Sequence, residues 1–129
     1  MRIDHIAIWA HDLEKMKEFY INYFEMKCGE KYSNNEKNFS SYFLSFERAP
    51  TRIEIMNRPD ITYLAGKHFN SFGLTHVAIS VGSKKKVDEL TERLRFDGYK
   101  VVGEPRTTGD GFYESVIEDC ENNWVEITE

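Results

Sequence analysis

The stretch IDHIAIW (Ile3 to Trp9) reads as a β-strand with a histidine on its less apolar side. Successive side chains of a strand point to opposite faces, so Ile6 and Ile8 share one face while His5 and Ala7 share the other. The stretch LTHVAIS (Leu74 to Ser80) repeats this arrangement, with Val77 and Ile79 set against His76 and Ala78, 71 positions further on (5 to 76). The similarity continues downstream. After the first strand, HDLEKMKEFYINYF spaces Leu13, Met16, Phe19, Tyr20, Tyr23 and Phe24 as an amphipathic helix, with Asp12 as its cap. After the second, GSKKKVDELTERLRFDGY gives Val87, Leu90 and Leu94 the same spacing, with Ser83 as N-cap and Gly98 as C-terminal stop.

Behind each helix come segments rich in aromatic and β-branched residues. These are SYFLSFE (Ser41 to Glu47) and TRIEIM (Thr51 to Met56) in the first half, and GFYESVIED (Gly111 to Asp119) and NWVEIT (Asn123 to Thr128) in the second. The segments RAP and CEN between them have turn chemistry, and further short strands are expected near Lys27 to Tyr32 and Lys100 to Val102. Each half therefore reads β, α, then two or three β. The fold class is α+β, with two tandem βαβββ units at 1–57 and 74–129 joined by a linker over 58–73, all in a single domain.

Composition bounds the function classes. A chain of 129 residues with 40% hydrophobic and 14% aromatic content can bury a core, which excludes a disordered chain. A net charge of -5 argues against nucleic acid as a partner, because phosphate binding needs a concentrated basic surface. The basic run Lys84 to Lys86 falls on the exposed start of a helix and reads as a solvated face. No apolar run approaches the roughly 20 residues that span a bilayer. The N-terminal sequence lacks the layout of a signal peptide, and Cys28 and Cys120 form no paired motif, so a cytoplasmic protein with reduced thiols is expected.

The terminal strands of the halves also match. Glu54 in RIEIM and Glu126 in WVEIT lie 72 positions apart (54 to 126), close to the histidine offset. By alternation Ile53 and Ile55 oppose Arg52, Glu54 and Met56, while Val125 and Ile127 oppose Trp124, Glu126 and Thr128. In all four strands the ionisable residue is on the face turned away from the aliphatics that take the helix. Two sheets with their helices outside would enclose a trough lined by His5, Glu54, His76 and Glu126. Two imidazoles and two carboxylates suit a divalent ion such as Ni, Zn, Co or Mn. Six-coordination would leave two adjacent positions for substrate oxygens, and four-coordination would give a closed structural site. His11, beside the cap, and His68, in the linker, lack counterparts and read as loop residues.

The paired units, DHIAI and THVAI at their starts and RIEIM and EDCENNWVEI at their ends resemble the vicinal oxygen chelate superfamily, which includes glyoxalases, bleomycin-resistance proteins and dioxygenases. The His, Glu, His, Glu set is similar to that of glyoxalase I (lactoylglutathione lyase). The resemblance implies half-barrel sheets with a metal between paired units. It also implies a homodimer whose sites draw ligands from both subunits, with Trp9, Tyr42, Phe46 and Trp124 lining the pocket. It implies a lyase that isomerises the hemithioacetal of a 2-oxoaldehyde such as methylglyoxal and a low-molecular-weight thiol. The reaction would run through an enediolate, with Glu126 as base and Glu54 as its counterpart. Position 9, where glutathione-using relatives carry a basic residue, is Trp9 here. The stretch EPRTTGDGFYES offers Arg106 as an anion clamp, or as ordinary surface, and Tyr113 as a polar-tipped pocket residue. A metal-free protein that sequesters a ligand or drug, and a thiol transferase on the same fold, are the alternatives.

Overall fold

β1 (His5–Trp9) lies parallel to β5 (Arg52–Asn57), so the first and last strands of the first half are neighbours. The computed structural model describes residues 1–62 and 72–129, which fall in two compact units, 1–65 and 66–129. In the first unit α1 (Leu13–Phe24) follows β1, then β2 (Lys27–Cys28), β3 (Tyr32–Asn34) and β4 (Phe39–Ser45) lead to β5. The sheet runs β1-β5-β4-β2, with β3 also paired to β4. The strand expected over Lys27 to Tyr32 is thus two short strands on one edge. In the second unit β6 (His76–Ser80), α2 (Lys84–Phe96), β7 (Val101–Thr107), β8 (Tyr113–Glu118) and β9 (Trp124–Thr128) give the order β6-β9-β8-β7. β6 and β9 are again parallel. Both units are α+β, as read from the sequence. Most of the expected linker, His68 included, lies outside the described residues.

The helices form where the capping chemistry and apolar spacing predict. The Asp12 carboxylate accepts from the Lys15 amide at 2.9 Å, and the Ser83 hydroxyl accepts from the Lys86 amide at 3.4 Å. Gly98 ends α2 with φ of +89°, a left-handed conformation that suits glycine. α1 buries Leu13, Met16, Phe19, Tyr20 and Phe24 and packs on β4 and β5, where Leu44, Ile53 and Ile55 are also buried. α2 buries Val87, Thr91 and Leu94 and packs on β7, β8 and β9 against Ile117, Val125 and Ile127. Burial of this kind stabilises by about 1.5–3 kcal/mol per large aliphatic side chain. In each unit one sheet face is committed to its helix, which leaves the other to carry polar chemistry.

One polar contact sits inside the second core. Thr91 on α2 and Ser115 on β8 have no exposed surface, and their hydroxyls lie 2.6 Å apart, with Thr91 Oγ1 also donating to the Val87 carbonyl. Replacing Thr91 by Val leaves the Ser115 hydroxyl buried without that partner, which costs about 1–3 kcal/mol. The double variant Thr91→Val/Ser115→Ala recovers most of that loss, because both polar groups leave together. Urea denaturation of both single variants and the double checks this, and additive losses would contradict it.

Candidate functional site

The registers explain how a histidine and a glutamate meet in each unit. In the first, Ala7 faces Glu54 and His5 faces Arg52 across β1 and β5; in the second, Ala78 faces Glu126 and His76 faces Trp124 across β6 and β9. Each histidine is therefore the diagonal neighbour of its glutamate on one sheet face. The small alanine between them leaves room for both side chains to converge. His5 Nε2 lies 3.6 Å from Glu54 Oε2, and His76 Nε2 lies 3.2 Å from Glu126 Oε2. Their exposures match as well, at 39% for both imidazoles against 15% and 17% for the carboxylates. Two compact units thus present the same pair in closely similar geometry.

The spacing fits metal ligation. Donors about 2.0–2.2 Å from one ion, at tetrahedral or octahedral angles, lie about 3.0–3.5 Å from each other. The His5 to Glu54 separation is too long for a hydrogen bond and close to that ligand-to-ligand distance. A neutral imidazole and a carboxylate also form a suitable donor set for a borderline divalent ion. Among the described residues, no group of three or more His, Cys, Asp or Glu side chains is placed to hold an ion. Each unit brings together two donors.

The surroundings of the two pairs differ. On the Glu54 face, Phe43 stands directly across from Glu54, and its ring meets the His5 ring edge-on at 5.4 Å. Arg52 lays its guanidinium 4.3 Å from the Phe43 ring centroid and donates to Asp4, which also accepts from His5 Nδ1 at 3.0 Å. On the Glu126 face, Val116 stands opposite and Glu114 is its neighbour along β8. Burial, and then the charge of Glu114, push the Glu126 carboxyl above its ordinary range, partly offset by His76. Arg106 Nη2 reaches Glu114 Oε1 at 3.4 Å, folding across Gly103, where a Cβ would stand 3.3 Å from the guanidinium.

Of the other expected site residues, Trp9 and Trp124 do share faces with the pairs. Trp9 pairs with Met56 and meets Phe39 edge-on at 6.3 Å, and Trp124 lies directly across from His76. Arg106 shares the face of Glu126 but is already engaged by Glu114. Both tyrosines turn instead toward a helix. Tyr42 pairs with Ile55 on the helix side, where its hydroxyl donates to Glu14 of α1 at 3.0 Å. Lys17, Lys31 and that hydroxyl together hold the Glu14 carboxyl down to about 2. Tyr113 likewise turns to its helix and donates to Asp88 at 2.8 Å, with Lys84 5.4 Å from its ring centroid. Phe46 follows β4 at a turn where its carbonyl accepts from the Ala49 amide, and alternation groups it with Leu44 and Tyr42 rather than with Phe43.

The residues missed from sequence are Asp4 and Phe43; Arg52 is read onto the Glu54 face, but without its contact to Asp4. Their signal was partly present: Leu44 is the aliphatic of SYFLSFE, so Phe43 between Ser41 and Ser45 belongs on the opposite face. Glu114 and Glu118 mark the polar face of β8 in the same way.

Comparison with known proteins agrees with this architecture. The model of the Glyoxalase/Bleomycin resistance protein/Dioxygenase superfamily matches residues 2–127. The chain is 29% identical over 126 residues to the uncharacterized protein YqjT of Bacillus subtilis, covering 95% of this chain and 94% of that one. It is 28% identical to lactoylglutathione lyase GLX1 of Arabidopsis thaliana, covering 98% of this chain but only 43% of that enzyme. Among solved structures, the trypanothione-dependent glyoxalase I of Leishmania major superposes with a TM-score of 0.78 at 25% identity, covering all of this chain and 86% of that one.

Proposed function

We propose, on the premise that this chain belongs to the Glyoxalase/Bleomycin resistance protein/Dioxygenase superfamily, that it is a metal-dependent lyase of the glyoxalase I type. Its substrate is the hemithioacetal of a small 2-oxoaldehyde and a low-molecular-weight thiol. The observation that carries the reading is the duplicated pair, His5 with Glu54 and His76 with Glu126, in equivalent registers and at near-ligand spacing. His5 with Glu54 and His76 with Glu126, one pair from each kind of unit, would hold a divalent ion (Ni, Zn, Co or Mn) in the homodimer that the resemblance implies. When bound, the ion supplies Lewis acidity toward two neighbouring substrate oxygens.

The chain's own residues supply the rest. Glu126 takes the hydrogen from the carbon bearing sulfur and hydroxyl as a proton and returns it to the adjacent carbonyl carbon, while the hydroxyl proton passes to the former carbonyl oxygen. The hemithioacetal thereby becomes a 2-hydroxy thioester with no net gain or loss of atoms or electrons. Trp9, Phe39 and Phe43 give the Glu54 face an aromatic surface against which the aldehyde's carbon chain packs. Arg106, bridged to Glu114, offers its remaining donors to an anionic group of the thiol. Neither Cys28 nor Cys120 is in a disulfide, which suits a reducing cytoplasm.

Methylglyoxal turnover with a panel of thiols, under Ni, Co, Mn and Zn in turn, tests the reading. Thioester formation with at least one thiol and metal, abolished by chelation, is expected. Metal binding without turnover would keep the site and discard the substrate. Failure to bind metal after reconstitution would discard the reading and favour a protein that sequesters a ligand.

A further inference from the structure

The two histidines are ligated alike in the proposed site but are not supported alike. Asp4 Oδ2 accepts from His5 Nδ1 at 3.0 Å and from Arg52 Nη2 at 2.5 Å, and Arg2 reaches the other Asp4 oxygen at 3.8 Å. Arg52 is fixed in turn, because its guanidinium stacks on Phe43, and Phe43 meets the His5 ring edge-on. Asp4, Arg52, Phe43 and His5 thus form a closed circuit on one face of β1, β4 and β5. At the corresponding positions the second unit has Thr75 before His76 and Trp124 across from it, neither of them charged.

We infer that Asp4, anchored by Arg52, is a positioning residue that keeps the proton of His5 on Nδ1 and turns its Nε2 lone pair toward the Glu54 carboxylate. A neutral imidazole carries one proton on either nitrogen, and the partner of one nitrogen decides which is left to ligate. The carboxylate on Nδ1 also makes Nε2 a stronger donor, as outer-shell carboxylates do for metal-bound histidines. His5 is therefore the pre-oriented ligand of the quartet, and His76 takes up its tautomer and angle when the ion arrives. This inference rests on the proposed metal site. It adds residues outside the ligand set and an inequality between two ligands that the internal repeat makes look equivalent.

The test uses zinc alone. Zinc affinity is measured by competition with a chromophoric chelator for the wild-type chain and for Asp4→Ala, Asp4→Asn, Arg52→Met and Thr75→Ala. Asp4→Ala is expected to raise the dissociation constant about ten- to hundredfold. Asp4→Asn, whose amide oxygen can still accept from Nδ1, recovers part of that loss, Arg52→Met falls between, and Thr75→Ala matches the wild type. Strand pairing survives these changes, because Asp4 holds the Arg52 amide through its backbone carbonyl at 3.0 Å. A second reading needs no metal. Long-range proton–nitrogen NMR of the apo-protein is expected to show His5 protonated on Nδ1, with that preference reduced in Asp4→Ala and the His76 signals unchanged.

An Asp4→Ala variant that binds zinc within twofold of the wild type and keeps the His5 tautomer would overturn the inference and reduce the Asp4 to Arg52 contact to an exposed ion pair of little consequence. A wild-type chain that binds no zinc would sink the metal reading instead. The tautomer measurement would then still decide for or against Asp4.

Discussion

Glu126→Gln is expected to lower kcat for the hemithioacetal by about two to four orders of magnitude, the cost of removing a positioned general base. Glutamine preserves volume and one oxygen donor, so the loss concerns proton transfer more than packing. Glu126 is 17% exposed, sits on the face that also carries Glu114, and is reached by His76 at 3.2 Å. Glu54 has the same strand position but faces Phe43, so Glu54→Gln is expected to weaken metal retention with a smaller loss in kcat. The measurement is steady-state kinetics on samples matched for bound metal, which separates a lost base from a lost ion. A fully loaded Glu126→Gln protein turning over within tenfold of the wild type would remove Glu126 from the chemistry.

Leu94→Ala is expected to destabilise the chain by about 2–5 kcal/mol, the range for deleting most of a fully buried aliphatic side chain. Leu94 has no exposed surface and lies on the buried stripe of α2 with Val87 and Thr91. A loss of that size is a large part of the roughly 5–15 kcal/mol that holds an ordinary domain together. Phe96, two residues on, is 91% exposed, and Phe96→Ala is expected to change stability by no more than about 0.5 kcal/mol. Urea midpoints of the two variants check the contrast. Equal losses would mean that Phe96 is covered in solution.

The elements that sequence reveals best are those whose signal is local. The helix stripes, the Asp12 and Ser83 caps, and the alternation around His5 and His76 all depend on spacing within a dozen residues, and the structure has them where they were expected. What sequence obscures depends on pairing between distant strands. Tyr42 and Phe43 are adjacent aromatics; alternation around Leu44 hints at which one faces the polar side, and the register that sets Phe43 against Glu54 decides it. In β8, Val116 and Ile117 are both apolar and adjacent, so the face of Tyr113 was ambiguous until Ser115 and Ile117 proved to be the buried pair.

β7 was read as three residues and is seven, because Gly103 and Pro105 disguise an edge strand whose pairing to β8 is shifted at two places. Asp4 was missed for a different reason. A carboxylate beside a histidine in sequence points to the other face of a regular strand, but Asp4 lies just before β1 begins, where its side chain is free to fold back onto the ring.

The central claim is that two half-sites, each of one histidine and one glutamate, act together on a single ion. Metal content by elemental mass spectrometry tests it most directly, on the wild-type chain and on Glu54→Ala and Glu126→Ala separately. The account predicts about one ion per chain in the wild type and the loss of most of it in either single variant, because two remaining donors hold a divalent ion poorly. A variant that keeps a full ion after losing either glutamate would contradict a shared four-ligand site.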